Sequence, residues 1–351
     1  MERRIQEFDV LRVLAMLFVI TYHFWYEYAT DGLPHVNLFY VTPNYDFGNV
    51  AVTIFLILSG SVLYKKYGAA DTFEKIPLKT FYLKRIKTIY PPFWLLSLYI
   101  PFTMVRHLIN DGNLFFLGNP LKLLLTVIGF DGYFRGLGFE TYAFCGDWFV
   151  GAIVFLYVLF PLLAKWYRKN PVLMLIQLAI LYGAQYLIPA EYDSVFSILP
   201  VTISFKFCLG FYLVEKLEYL RNVRVALSAG LVFALLSFFN IPGRINTDCL
   251  GAIAAIALFA VVFSVSPWVL RYNVAVASIQ KLATLSYCVF LVQHVAIVWT
   301  KRFFVAFFER MQWQFSCWTS VFFLALTFAV ILAVSWILKL VTDRIVCCFA
   351  K

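Results

Sequence analysis

Ten times along its length the chain runs through an apolar stretch about as long as a bilayer is thick. A helix needs about 20 mostly apolar residues to cross the hydrocarbon core. Such stretches fall at residues 8–28, 49–64, 89–106, 146–166, 171–189, 194–214, 224–241, 248–268, 282–300 and 316–341. Within lipid, every backbone N–H and C=O in runs of this kind has to be bonded inside its own helix. Composition agrees with that reading. Of 351 residues, 62% are hydrophobic, 19% aromatic and 14% charged, against roughly 25% charged in an average soluble domain. The mean hydropathy is +0.82. A soluble globule, a disordered chain and a coiled coil are excluded. The expected fold is all-α: a polytopic transmembrane helix bundle of about ten spans, residues 1–351 forming one membrane-embedded domain. No repeat, low-complexity tract or soluble appendage is visible. Asp9, Arg12 and His23 lie in the first stretch, which is too long for a signal-peptide core and lacks an A-x-A-like cleavage site.

The net charge of +10 reports orientation, because the cations sit between the apolar runs rather than on one soluble face. Nucleic acid is not an expected partner. With the N-terminus inside, the cytoplasmic segments hold Arg3, Arg4, Lys65, Lys66, Lys75, Lys79, Lys84, Arg85 and Lys87. They also hold Lys165, Arg168, Lys169, Lys216, Arg221, Arg224, Arg271, Lys281, Lys339, Arg344 and Lys351. The outer loops hold only Arg106, Lys122, Arg135, Arg244, Lys301, Arg302 and Arg310. This imbalance places both termini in the cytoplasm. High Phe and Tyr content and the lack of a long soluble tail suggest the plasma (inner) membrane of a bacterium. Two further segments are expected not to span. Residues 74–88 (EKIPLKTFYLKRIKT) read as a basic amphipathic helix on the inner surface leading into the third span. Residues 119–130 (NPLKLLLTVIGF) are apolar but too short to cross, and read as an interfacial or re-entrant helix.

The cysteines (Cys145, Cys208, Cys249, Cys288, Cys317, Cys347, Cys348) form no C-x-x-C pair and imply no metal site. Cys347 and Cys348 are either unmodified interfacial thiols or palmitoylation sites.

Ionisable groups within spans are costly and are functional candidates by default. Arg12 and His23 are eleven residues apart, so on a helix they face the same way with about 16 Å between them along the axis. Asp9, one turn before Arg12, is placed to pair with it. A guanidinium near the cytoplasm suits phosphate or carboxylate. A deeper histidine in a low-dielectric site is neutral and takes a proton from a hydroxyl. The plainer reading is a snorkelling arginine and a bundle histidine. His294 and Ser286, eight residues apart, fall close to one face of the ninth stretch. Lys206 sits mid-span and lines a cavity or pairs. The run Lys84–Lys87 before Tyr90-Pro91-Pro92 makes an anion site at a helix start, or else a plain positive-inside anchor. His35 and His107 fall in or beside outer loops, where a structural role is the better reading. No phosphate-binding GxxxxGK[ST], G-x-S-x-G or H-E-x-x-H motif occurs.

Five segments carry a further pattern. The first stretch reads FDVLRVLAMLFVITYH from Phe8 to His23, a D-x-x-R start followed by [RK]-x10-H. The second has FLILSG, Phe55 to Gly60. The third opens FYLKRIKTIYP, Phe81 to Pro91. The fourth has WFVGAIVFLYVLFPLL from Trp148, with Tyr157 and Pro161, and the ninth has LSYCVFLVQH ending at His294. In order and spacing these resemble the acyltransferase-3 family of integral membrane acyltransferases, ten-span enzymes that O-acylate cell-surface carbohydrates. Two positions depart from the family pattern: Thr88 stands where the third motif has its last arginine, with Lys87 one place early. Ile153 stands where many members carry Glu.

The resemblance implies an acyl-CoA donor, usually acetyl-CoA, and a carbohydrate or glycan hydroxyl as acceptor, met by the membrane domain itself or reached by passing the acyl group to another protein. It implies Arg12, Lys84, Arg85 and Lys87, with Ser59, around the donor. It implies His23 as general base or acyl relay, with Arg12 and with Asp9 orienting Arg12. Trp148, Tyr26, Ser286, His294 and Lys206 are expected around the acceptor, with Ser59, Ser286 and His294 as candidate donors to the developing oxyanion. Tyr157 is expected to be ordinary packing. No metal is implied, and a homo-oligomer is left open. The rival reading is a carrier or flippase for a glycan or lipid-linked intermediate, with the polar stripe as its path. Such a carrier more naturally shows repeated halves or broken helices, and neither is visible in this sequence.

Overall fold

A computed structural model describes residues 4–36, 38–68, 77–142, 147–185, 193–242 and 247–348. Arg3, Lys75, Cys145, Arg244 and Lys351 lie outside these residues. Among the described residues the regular structure is helical, apart from an isolated bridge between Val41 and Asp46. In chain order the helices are α1 (Gln6–Thr30), α2 (Phe47–Tyr67), α3 (Leu78–Ser97), α4 (Tyr99–Asp111), a 3-10 turn (Pro120–Lys122), α5 (Leu123–Ile128) and α6 (Asp131–Gly136). There follow α7 (Asp147–Lys169), α8 (Pro171–Ala184), α9 (Asp193–Phe196), α10 (Pro200–Glu215), α11 (Leu217–Leu220), α12 (Val223–Phe238), α13 (Thr247–Val269), α14 (Asn273–Arg310) and α15 (Cys317–Cys348).

Each expected span coincides with a helix, and among the described residues seven are long and apolar enough to cross a membrane: α1, α2, α3 continued by α4, α7, α13, α14 and α15. The others, α8, α10 and α12, have 14, 16 and 16 residues. At 1.5 Å per residue, α8 reaches about 21 Å, short of a core about 30 Å thick. The protein is a multi-pass helical membrane protein.

Local chemistry explains the boundaries. Glu7 and Asp9 sit in the first turn of α1, where carboxylates favour the helix N-terminus. Asp46 caps α2, its carboxylate accepting from the Asn49 N–H at 2.7 Å. Residues 78–88 lead straight into the third span. They are the first turns of α3, which runs unbroken through Pro91 and Pro92 and gives way to α4 at Leu98. The expected helix over 119–130 breaks into the 3-10 turn and α5. Gly129 ends α5 with φ +78°, a left-handed conformation that only glycine adopts cheaply. Its carbonyls are held to α3: Trp94 Nε1 donates to Val127 O, and Tyr90 OH to Ile128 O, both at 2.9 Å. Helix α14, at 38 residues, overruns the expected span at both ends.

The bundle centres on α2 and α10. A Cβ added at Gly60 would lie 2.0 Å from the Phe207 carbonyl oxygen, and one at Gly210 would lie 2.1 Å from that of Ile57. Two glycines facing opposite backbones let these helices approach to near contact. Ser61 Oγ donates to Gly210 O across the seam at 2.8 Å. Helix α1 lies against α2 on one side and α14 on the other, which brings Arg12 and His23 into the middle of the molecule.

Candidate active site

Two chambers open on the shared faces of α1, α2, α7 and α14, one around Arg12 and the other around His23. The Arg12-side chamber has a volume of about 200 Å³. Its polar groups are Arg12, Ser59, Arg85, Thr88, Tyr157 and Ser286, set in an apolar wall that includes Leu58, Val62, Ile89 and Ile153. Asp9, fully buried, fixes Arg12: Arg12 Nη1 donates to Asp9 Oδ1 at 2.9 Å. Arg4 grips the same carboxylate with two donors at 2.6 and 2.9 Å. One negative charge therefore serves two guanidiniums, and the cluster keeps a net positive charge. The Asp9 hydrogen bond raises the Arg4 pKa above its ordinary value.

Arg85 completes the chamber from α3. Its guanidinium lies over the rings of Tyr67, Phe81 and Tyr157 at 5.6 to 5.7 Å, and Nη2 reaches Tyr67 OH at 3.4 Å. Its buried Nε has no hydrogen-bond partner among the described residues. A buried donor without an acceptor is rare, and on a guanidinium it marks a place suited to an anion. Lys84 and Lys87, expected beside Arg85, lie on the exposed face of α3 and do not line the chamber. The helical step of 100° carries neighbours of Arg85 away from the wall that Arg85 itself faces. Tyr157 lines this chamber and shares a hydrogen bond of 2.8 Å with Ser59 Oγ.

The His23-side chamber is larger, about 680 Å³, and more polar. His23 and His294 meet edge to face, ring centroids 5.1 Å apart and planes at 87°. His294 Nδ1 is buried and has no hydrogen-bond partner among the described residues. Tyr22, Tyr26 and Trp148 supply aromatic faces. Lys206, 1% exposed at its side chain, donates to Asp248 Oδ1 at 2.6 Å and to Asn49 Oδ1 at 3.3 Å. Tyr182 OH also donates to Asp248. Asp46 lines the same chamber. Burial pushes its carboxyl above the usual carboxylate range, against the opposing pull of the Asn49 N–H bond.

The structure thus divides the expected residues between two places. Arg12, Ser59, Arg85 and Ser286 gather in one chamber; His23, Tyr26, Trp148, Lys206 and His294 gather in the other. Ser286 and His294 do share a face of α14, but a separation of eight positions, about 12 Å along the axis, puts them in different chambers. Nor does a polar stripe run without interruption from Arg12 to His23: Ala15, Met16 and Val19 lie between them on α1, all buried and apolar.

Sequence reading missed Arg4, Asp46, Asn49 and Asp248 as parts of these clusters. The signals were slight: an Asp-x-x-Asn cap before an apolar run at Asp46–Asn49, and an acid in the first turn of α13.

A family model described as an acyltransferase domain, Acyl_transf_3, matches residues 5–340. No curated protein and no solved structure matches the chain significantly. The match spans nearly the whole helical bundle, including both chambers, and the chain belongs to this family of membrane acyltransferases.

Proposed function

We infer that the protein moves an acyl group, acetyl above all, from acyl-CoA to a hydroxyl of a cell-surface or exported carbohydrate. The observation that carries this reading is the division of one helix between two chambers. Arg12, with the unpartnered Nε of Arg85 beside it, serves an anionic donor, while His23 sits with His294 among aromatic and polar groups that suit a sugar. CoA phosphates would meet Arg12 and Arg85, with its thioester directed towards His23. His23 Nε2 or Nδ1 takes the proton of the acceptor hydroxyl, whose oxygen attacks the thioester carbonyl. The C–S bond breaks, the ester forms, and the departing CoA sulfur receives the proton from the imidazolium. A covalent acyl-histidine before transfer is the variant of this scheme. Sugars stack on aromatic faces, which gives Tyr26 and Trp148 their part. Lys206, neutralised by Asp248, supplies hydrogen-bonding polarity without a free charge.

The experiment is transfer by purified full-length protein supplied with labelled acetyl-CoA and a glycan acceptor, alongside His23→Ala. Transfer that disappears in the variant at equal expression supports the reading, and unchanged transfer removes it. A carrier shows neither transfer nor slow hydrolysis of the thioester.

A further inference from the structure

Between the two chambers stands a wall of phenylalanine. Phe290 lines both. It lies four residues after Ser286, which faces the Arg12 side, and four before His294, which faces the His23 side, so the three share one face of α14 at about one-turn intervals. Its ring meets Phe149 of α7 with centroids 4.7 Å apart and Phe55 of α2 at 6.4 Å; Phe55 and Phe149 lie 6.1 Å from each other. Three rings from three helices therefore touch in one plane of the bundle. The same plane marks the boundary on each neighbouring helix. On α2, Val52 lines the His23 side and Phe55 the Arg12 side; on α7, Trp148 lines the His23 side and Phe149 the Arg12 side. Phe149 and Phe290 are buried, 7% and 6% exposed.

We propose that Phe290, backed by Phe55 and Phe149, is the partition that a donor's acyl group crosses, and that it sets the acyl length the protein accepts. This rests on the acyl-CoA reading above. An apolar wall refuses the phosphates and hydrated polar arm of the donor, which stay with Arg12 and Arg85. A thioester carbonyl with a short chain is small and weakly polar, and passes when the Phe290 side chain turns about χ1 between staggered positions. Each added methylene has to be housed among rings already in contact, and close-packed interiors respond to a single methylene. The acceptor is kept from the donor chamber by the same rings, so water and sugar meet the thioester only at His23. Phe290 is a specificity-determining residue in this scheme and touches the acyl group in transit.

The test is the relative use of acetyl-, butyryl- and octanoyl-CoA by purified full-length protein, followed as CoA release with and without a glycan acceptor. Wild type is expected to favour acetyl. Phe290→Ala is expected to raise the butyryl-to-acetyl ratio of kcat/KM by about tenfold or more, the scale on which a pocket distinguishes methylenes, and to raise acceptor-independent hydrolysis. Phe149→Leu, which keeps most of the packed volume, is expected to shift the ratio in the same direction and reads the wall if the alanine variant does not fold. Phe303→Ala, at an exposed position further along α14, is expected to leave the ratio unchanged. Wild-type turnover of acetyl-CoA with an unaltered ratio in the folded wall variants overturns the partition and leaves the acyl-CoA reading standing. No turnover of any acyl-CoA by wild type overturns that reading, and the partition with it.

Discussion

In the Arg12-side chamber one buried acid, Asp9, is divided between two arginines while Arg85 keeps an unsatisfied donor. In the His23-side chamber the one lysine has an acid of its own at 2.6 Å. The first arrangement is short of negative charge, as the proposed anionic donor requires. The second sets two acids, Asp46 and Asp248, against that lysine, and adds rings, imidazoles and hydrogen-bonding groups. Burying charge is expensive unless it is paired, so the positive surplus on one side and its absence on the other fit the proposed division between a charged donor and a sugar.

The largest expected effect is that of His23→Ala. Loss of a general base reduces transfer by about 10²–10⁴-fold, while binding of acyl-CoA, read by titration calorimetry, stays as in wild type. A parallel fall in donor binding would show that the two chambers are one site. Lys206→Met comes next. It leaves Asp248 buried without its cation, which costs about 3–5 kcal/mol and is read as a lower unfolding temperature in detergent. Adding Asp248→Asn is expected to restore most of the loss. If Lys206→Met weakens donor binding while stability holds, the exclusion of the donor's charged groups from the second chamber is wrong.

Arg12→Ala is expected to raise KM for acetyl-CoA by about tenfold or more, the range for a hydrogen bond to a charged group, with KM for the acceptor unchanged. The smallest effect is that of Tyr26→Ala, an increase of about threefold to tenfold in acceptor KM, as for one aromatic contact, with no change for the donor. Equal effects on both substrates in either variant would erase the distinction between the chambers.

Much of the architecture was legible because lipid leaves few choices. Apolar length alone located every main helix, and the ionisable residues that break those runs, Arg12, His23, Lys206 and His294, all line one chamber or the other. What could not be read was which groups meet across helices. His23 and His294 are 271 residues apart in sequence and 5.1 Å apart in space, and no helical period links them. Lys84 and Lys87 were grouped with Arg85 by proximity in sequence, whereas the turn of α3 separates them. Phe290 was invisible for the opposite reason: one phenylalanine among 38 carries no signal until its neighbours on α2 and α7 are known. Of the ten expected stretches, those at α8, α10 and α12 form shorter helices than their neighbours among the described residues.

The contact of Gly60 and Gly210 with opposing carbonyls has a mechanical consequence. Helix α2 contributes walls to both chambers, from Asn49 and Val52 to Ser59, and at Gly60 and Gly210 its backbone meets that of α10 with no side chain in between. Carriers that open alternately to each face rock one rigid half against another, and their turnover responds when the surrounding bilayer is made thinner or thicker. A bundle pinned backbone to backbone at its centre has no such stroke. Its turnover is expected to vary little between short-chain and long-chain lipid nanodiscs, with motion confined to side chains and to the substrates themselves.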